Sequence, residues 1–594
     1  MAKNADRFSY MPQIEDGISN PANQNMNRTG YKNFDFLLLT GFVLFLFLLA
    51  PLYYQPNMGG RGLELTFNIS TWAGAISITC FAIYLTTARH VIRLPQKYLF
   101  FVVVPVVIIL NNLVTGTSQP VALFFRELFI LGGLFYFFAL FQFKLRPYQV
   151  EWILLAIALS TLVHSSIGIL QVFNPDIFSG WFATKGDDVP RGIFQQINVQ
   201  VSFLATGIAI SIYLLSRPIA KSFNPVISSL VILSIALSSF VIVYSGSRVG
   251  LLSLVISLLL LFIFRGKQLM NNKVLVLCAI IAITSGTIVG KNGLERSLAQ
   301  TMNIAQGVSR DARINMYSIA FELIAQKPLL GHGIGNYLRV WNLQTGDYFT
   351  RHPDAVLPPY VTHPHNELVY WLIEGGVVIV LGILAAIVAV VLGLIRCGPR
   401  RAAGYIAILL PITLHTQVEL PFYISSVHWF LWLFLIFVVM RHQVFSKNLS
   451  ISAAGVKLIQ AFSLIVFIGS LYFLQHTSRA QADLWNYVHQ QADNPSYLEI
   501  ALSNHYFGYK AEEIAMRASL YNAVAANDTE QIMQYVQWSS DRLAIRPTLK
   551  LFEDLIYAFT HLNDHESQCS VIRLGLSMYP VNKPLRELNQ SCIN

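Results

Sequence analysis

Apolar runs close to the ~20 residues needed to cross a bilayer recur along the first 475 positions, separated by short polar stretches. They place spans near 34–53, 69–88, 98–115, 120–143, 150–172, 197–216, 225–245, 248–265, 274–291, 367–395, 403–418, 425–441 and 456–475. The pattern predicts an all-α fold, a polytopic transmembrane helical bundle of about 13 spans. Two segments are too long to be connectors. The first, 292–366, holds a helix-like stretch at 313–326 closed by Lys327-Pro328, then the turn Gly331-His332-Gly333-Ile334-Gly335-Asn336. No strand precedes that turn, so it is expected to be a flexible wall beside a site and not a nucleotide cradle. The second, 476–594, is polar with helical periodicity. Within it, 549–559 and 566–578 read as paired amphipathic helices similar to a tetratricopeptide-type unit. The chain thus divides into a tail (1–33), nine spans (34–291), a long loop (292–366), four spans (367–475) and a helical domain (476–594).

Composition agrees: 54% of residues are hydrophobic and 12% charged, about half the charged share of a soluble protein. The net charge of +10 is explained by where the bases lie. Alternate loops carry Arg89/Arg93/Lys97, Lys144/Arg146, Arg217/Lys221, Arg265/Lys267/Lys273, Arg396/Arg400/Arg401 and Arg441/Lys447 without an acidic residue. The opposite short loops hold only Arg61, Lys185, Arg191 and Arg248. The positive-inside rule then makes the N-terminus cytoplasmic, and an odd number of spans puts the C-terminus outside. Nucleic acid is not needed to account for the basicity. The tail with Lys3, Arg7, Arg28 and Lys32 is too long and mixed for a cleaved signal peptide. Cys80 and Cys278 fall in spans and Cys397 at a cytoplasmic edge, whereas Cys569 and Cys592 are both external, where a disulfide is expected to persist.

Four polar clusters share the external face. They are Arg191 to Asn198, the hairpin Tyr244-Ser245-Gly246-Ser247-Arg248, the loop with Arg310, Arg313, His363 and His365, and Gln417 to Tyr423. The cytoplasmic face has bases but no such mixture. Arg248 and Asn366 each stand where a helix descends from that face, so guanidinium groups and helix N-termini can together attract phosphate oxygens. His365 precedes Asn366, a good N-cap. An imidazole with an ordinary pKa of roughly 6.5 can take a proton from a hydroxyl. The alternatives are an interfacial His beside a cap, or a metal site of His363 and His365 with His352 or His332. No EF-hand or His-Glu-x-x-His pattern supports the latter, and the sequence calls for no metal and no cofactor. Arg126-Glu127 and Glu374 are ionisable groups inside spans. Such residues are functional candidates; Arg126-Glu127 fits packing or a tilted interfacial stretch equally, and Glu374 is expected to serve a buried hydrogen bond outside the site.

Ser245-Gly246-Ser247-Arg248, Arg313, Lys327-Pro328-Leu329-Leu330-Gly331-His332-Gly333-Ile334-Gly335, and His365-Asn366 with Gly376 ten residues on, occur in that order. From roughly 194 to 423 the chain resembles the superfamily of O-antigen ligases, O-antigen polymerases and bacterial protein O-oligosaccharyltransferases. Two stretches are similar to the pilin-glycosylating, protein O-oligosaccharyltransferase branch. Gly192-Ile193-Phe194-Gln195-Gln196-Ile197-Asn198 is similar to its Gly-x-Phe-x-Gln-x-Asn. Glu419-Leu420-Pro421-Phe422-Tyr423 is similar to its Glu-Tyr-Pro-Leu-x-Tyr, with Leu420 for the Tyr and Phe422 for the Leu. The resemblance implies a multi-pass enzyme of the bacterial inner membrane whose periplasmic loop 292–366 is catalytic. Its implied reaction moves an oligosaccharide from a polyprenyl-diphosphate carrier, held beside membrane lipid, to Ser or Thr of an exported pilin-like protein. Implied catalytic residues are His365 as base, with Arg248 and Arg313 on the diphosphate. Implied substrate-binding residues are Gln196, Asn198, Asn366, Glu419 and Tyr423. An O-antigen ligase acting on lipid A core, or an O-antigen polymerase, fits the same donor chemistry. A transporter would place polar or helix-breaking elements near the midplane, and here the polar clusters lie at one face.

Overall fold

The computed structural model describes residues 21–174, 176, 181, 188–305, 312–357, 361–489 and 494–592. Lys3, Arg7, Lys185 and Arg310 lie outside the described residues. Among those described, ten helices are long and apolar enough to cross a membrane. The chain is an all-α, multi-pass membrane protein. Its first part comprises α1 (Pro21–Leu44), α2 (Thr66–Ala88), α3 (Tyr98–Thr115), α4 (Pro120–Leu140), α5 (Pro147–Phe173), α6 (Ile197–Leu215), α7 (Pro225–Tyr244), α8 (Arg248–Leu269) and α9 (Lys273–Val289). By length alone α8 and α9 form one apolar stretch, Arg248–Val289. Asn272, at φ −127° and ψ 43°, breaks it into the two expected spans. The long loop carries α10 (Lys291–Ala305), α11 (Ala312–Gln326) and α12 (Tyr337–Arg351). Next come α13 (Glu367–Arg396), α14 (Pro399–His415), the short α15 (Pro421–Ile424), α16 (Ser426–Met440) and α17 (Ala453–His489). With 17 and 15 residues, α14 and α16 fall short of the ~20 that cross a bilayer. Nearly all of α16 is buried by its neighbours, so protein shields its ends from lipid.

At one face of the bundle, β1 (Val91–Pro95) pairs antiparallel with β2 (Val444–Asn448). Arg396 donates to Gln96 and Gln443 at 2.8 and 2.9 Å. Three of the basic, acid-free loops are thereby fastened together.

The sequence reads α13 as one continuous span, but it is broken. Gly376 sits at φ 64° and ψ −169°, a conformation open to glycine and strained for other residues. A Cβ there would lie 2.2 Å from the Leu329 carbonyl. The glycine-rich turn fills the break. Val377 and Val378 donate to Pro328 and Leu329 at 2.9 and 3.2 Å, while His332 and Gly333 donate to Ile373 and Glu374 at 2.9 Å each. Irregular backbone at membrane depth persists only where protein satisfies it. The turn, expected to be a flexible wall, is this plug. Beyond the break 377–396 still supplies roughly 20 residues, about 30 Å of helix and enough to cross the hydrocarbon. Glu374 therefore belongs to the upper, polar part of the protein.

α17 does not stop where the apolar run ends at 475; it continues to His489 as one helix of 37 residues, about 55 Å long. It leads into α18 (Glu499–Ser503), α19 (Gly508–Ala526), α20 (Thr529–Ile545), α21 (Leu549–His561), α22 (His565–Met578) and α23 (Lys583–Gln590). The expected helix pair is α21–α22, and Cys569 and Cys592 are bridged. This domain packs on the long loop: Asn342 donates to the Pro547 carbonyl (3.2 Å) and the Tyr579 hydroxyl (2.8 Å). It also grips the α1–α2 connection, where the Tyr506 hydroxyl accepts from Leu63 N (3.1 Å) and Lys510 pairs with Glu64 (2.8 Å).

Candidate active site

Two helices enter the site from the same face, and each is prepared in the same way. Gln196 caps α6 by accepting from Val199 N at 2.8 Å, and Asn366 caps α13 by accepting from Val369 N at 3.1 Å. The residue before each cap, Gln195 (φ 59°) or His365 (φ 51°), is held in the left-handed region. That conformation costs a side-chain-bearing residue about 1–2 kcal/mol, and it persists where surroundings enforce it. At His365 the enforcement is visible. Its N–H donates to Nδ1 of His363 at 3.2 Å, and Asn366 Nδ2 donates to the Gln417 carbonyl at 3.0 Å. Because His363 Nδ1 accepts, the proton of its neutral ring sits on Nε2.

Glu419 joins the clusters at Gln196 and His365. Its carboxylate accepts from Gln196 Nε2 (2.8 Å), Asn198 Nδ2 (2.9 Å) and His415 Nε2 (3.1 Å). Burial pushes the carboxyl up, but hydrogen bonds from His415, Asn198 and Gln196 outweigh it and hold the pKa at about 2. An ionised carboxylate only accepts, so His415 presents Nε2–H to it, while its Nδ1 is hydrogen-bonded with the Ser202 hydroxyl (2.9 Å). Asn198 Oδ1 accepts from Ser247 (2.6 Å), the cap of α8, which links the network to the Arg248 hairpin. The Arg248 side chain itself is exposed and reaches Thr301 at 3.4 Å.

The His365 imidazole is pulled below its ordinary pKa, first by burial, with the Arg313 charge acting the same way and the Glu419 charge opposing. His363 is pushed down to about 4, again mainly by burial. Both rings are therefore neutral near pH 7. His365 Nδ1 is enclosed without a hydrogen-bond partner, which leaves Nε2 as the nitrogen available to a substrate. His365, Arg313 and Glu419 thus lie within electrostatic range of one another, and Gln196, Asn198 and Asn366 hold the frame through hydrogen bonds.

Beside this group, a cavity of about 1630 Å³ runs between α2, α4, α13, α16 and α17. Trp72, Phe129, Ile383, Trp432 and Phe473 give it an apolar wall. Thr362 and Glu367 line it on either side of His365, and Gln417 and Tyr423 line it near Glu419. Tyr423, expected from the sequence, does not stand alone. Its hydroxyl accepts from Arg126 Nη2 at 2.5 Å, and the other Arg126 terminal nitrogen pairs with Glu374. The guanidinium lies over the rings of Trp371 (4.2 Å), Tyr370 (4.6 Å) and Tyr423 (5.2 Å). Glu374 also accepts from Gly335 N (3.0 Å) and so fixes the plug. Arg126, left open by the sequence, and Glu374, expected outside the site, connect Tyr423 to the glycine turn. Their signal was present as two ionisable residues in apolar runs; their partnership was not.

Residues 233–384 match the family model described as O-antigen ligase. Residues 405–590 match the one described as virulence factor membrane-bound polymerase, C-terminal. No curated protein matches the chain. The first match contains Arg248, Arg313, the plug, His365 and Asn366; the second contains Glu419 and Tyr423 and runs unbroken from α14 through the C-terminal domain.

Proposed function

We propose that this chain is a glycosyltransferase of the bacterial inner membrane, with its N-terminus cytoplasmic and its C-terminus periplasmic. It transfers an oligosaccharide from a polyprenyl diphosphate to a Ser or Thr hydroxyl of an exported, pilin-like protein. The observation that carries this reading is the seat of His365: a neutral imidazole on a strained backbone, between two residues that line a large apolar cavity. The cavity suits a lipid tail, and the base stands where the head of such a lipid would meet water. In the reaction, His365 Nε2 takes the proton of the acceptor hydroxyl as its oxygen bonds to the anomeric carbon. The bond from that carbon to the diphosphate oxygen breaks, and the polyprenyl diphosphate leaves with the electron pair. Arg248 and Arg313 supply positive charge for the leaving group, and ionised Glu419 steadies the imidazolium. Gln196, Asn198, Asn366 and Tyr423 position the substrates. The loop 292–366 is the catalytic periplasmic segment and 476–594 the periplasmic domain.

The polymerase description over 405–590 favours a second reading, in which the acceptor is another lipid-linked glycan. A host supplied with a polyprenyl-diphosphate glycan and a candidate pilin separates the two. A glycan mass on the pilin, lost in His365→Ala at equal expression, supports the protein transferase. Lengthened lipid-linked glycan moves the assignment to polymerase, and capped lipid A core to ligase. A general base contributes about 10²–10⁴-fold, so near-normal transfer by His365→Ala would remove its role.

A further inference from the structure

The cavity does not end in the membrane part. Tyr506, Tyr509 and Arg546 of the C-terminal domain line it, as does Arg61 of the α1–α2 connection. Arg546 lies over the Tyr509 ring at 5.3 Å, and its guanidinium feels the charge of Glu513 and, less strongly, that of Arg61. Glu64 pairs with Lys510 at 2.8 Å, and Glu513, which also lines the cavity, pairs with Arg517 at 3.8 Å. Neither Arg61 nor Arg546 forms an ion pair among the described residues. Glu64 and Glu513 act on the two guanidinium groups through space without pairing with them, so each guanidinium keeps N–H donors that a shared anion could take. The approach is built in. Gly62, at φ 59°, lets the connection pass so close that a Cβ would stand 2.7 Å from the Tyr506 hydroxyl. Arg61 also acts electrostatically on His363, which places this mouth beside the catalytic loop.

We infer that Arg61 and Arg546 form an anion subsite at the mouth of the cavity that holds the diphosphate of the lipid-linked donor, so that the C-terminal domain supplies half of the donor's headgroup site. The charge complementarity is that of one amphipathic ligand: a long apolar tail in the cavity and a multiply charged head at two guanidinium groups. The subsite rests on the donor chemistry proposed above.

The test uses full-length protein in nanodiscs, with polyprenyl diphosphate and, separately, polyprenol as probes. Arg61→Gln and Arg546→Gln are each expected to weaken polyprenyl-diphosphate binding about tenfold, and the double variant about a hundredfold, since each removes one charge-assisted contact. Polyprenol binding stays unchanged, Arg546→Lys retains most of the diphosphate affinity, and the donor KM rises while kcat is kept. Unchanged diphosphate binding in the double variant overturns the subsite and leaves the transferase reading standing. An equal loss of polyprenol binding also overturns it, because the defect is then one of cavity shape. Wild-type protein that binds no polyprenyl diphosphate removes the proposed donor and the subsite with it.

Discussion

Replacing Glu374 by Ala takes the carboxylate partner from a guanidinium that has almost nowhere else to go. The Glu374 side chain is fully buried and that of Arg126 is 11% exposed. Removing one partner of such a pair costs about 3–5 kcal/mol, because a buried charge is left uncompensated. The Gly335 N–H, 3.0 Å from Glu374, loses its acceptor at a further cost of about 1–3 kcal/mol. The rings of Tyr370, Trp371 and Tyr423 attract the cation in both proteins and so do not enter the difference. The net expectation is a loss of about 4–8 kcal/mol, read from denaturant unfolding of the purified protein in detergent. Arg126→Met with Glu374→Met removes both charges and keeps the volume, so it is expected to recover at least half of that loss. A cost for Glu374→Ala below about 1 kcal/mol, the range of an exposed pair, would refute the reasoning. A double variant no better than the single would do the same.

Three further outcomes follow from the geometry. Burial holds His365 below its ordinary pKa, and a base must be neutral, so kcat/KM should be flat above pH 7 and fall only under about pH 6.5. Glu419→Gln should move that acid limb lower still, and a limb centred above pH 7 contradicts the assignment. Gly62→Ala, at φ 59° against Tyr506, should cost about 1–2 kcal/mol and loosen the C-terminal domain from the α1–α2 connection. Faster hydrogen exchange along α19 reports that loosening, and unchanged exchange argues against it. Reducing the Cys569–Cys592 bridge, with its separation of 23 residues, should remove about 3 kcal/mol from that domain. A denaturation midpoint insensitive to reductant would show the bridge to be dispensable.

The spans were legible because each carries its own apolar stretch, a signal that needs no partner. The α21–α22 pair was legible for the same reason, its buried face repeating at helical spacing. The break at Gly376 was not. Gly375-Gly376 lies within an apolar run, and what opens the helix there is the turn at 328–333, more than 40 residues earlier. The continuation of α17 past 475 was hidden because the helix turns amphipathic as it leaves the apolar run. Within the site, Gln196, Asn198, His365 and Glu419 were each visible as polar residues at helix mouths, and the fold brings them together through Glu419. Arg126 and Glu374, 248 positions apart, were visible one by one, but no local pattern joins them. Arg61 gave least warning: a single base in a short loop acquires meaning only from the domain that closes over it.

The unbroken run of α17 gives the C-terminal domain a fixed azimuth. Each residue of an α-helix advances the chain by about 100° and ~1.5 Å, and no joint separates Phe473, which faces the cavity, from Gln481, which donates to the Glu64 carbonyl at 2.6 Å. One residue inserted between them would swing everything beyond by more than a quarter turn and carry Tyr509 and Arg546 away from Arg61. The same insertion in the connection between α16 and α17, on the cytoplasmic side in the proposed topology, leaves that phase untouched. Helical register, set by the count of residues after the membrane, is thus what aims the outer domain at the cavity mouth.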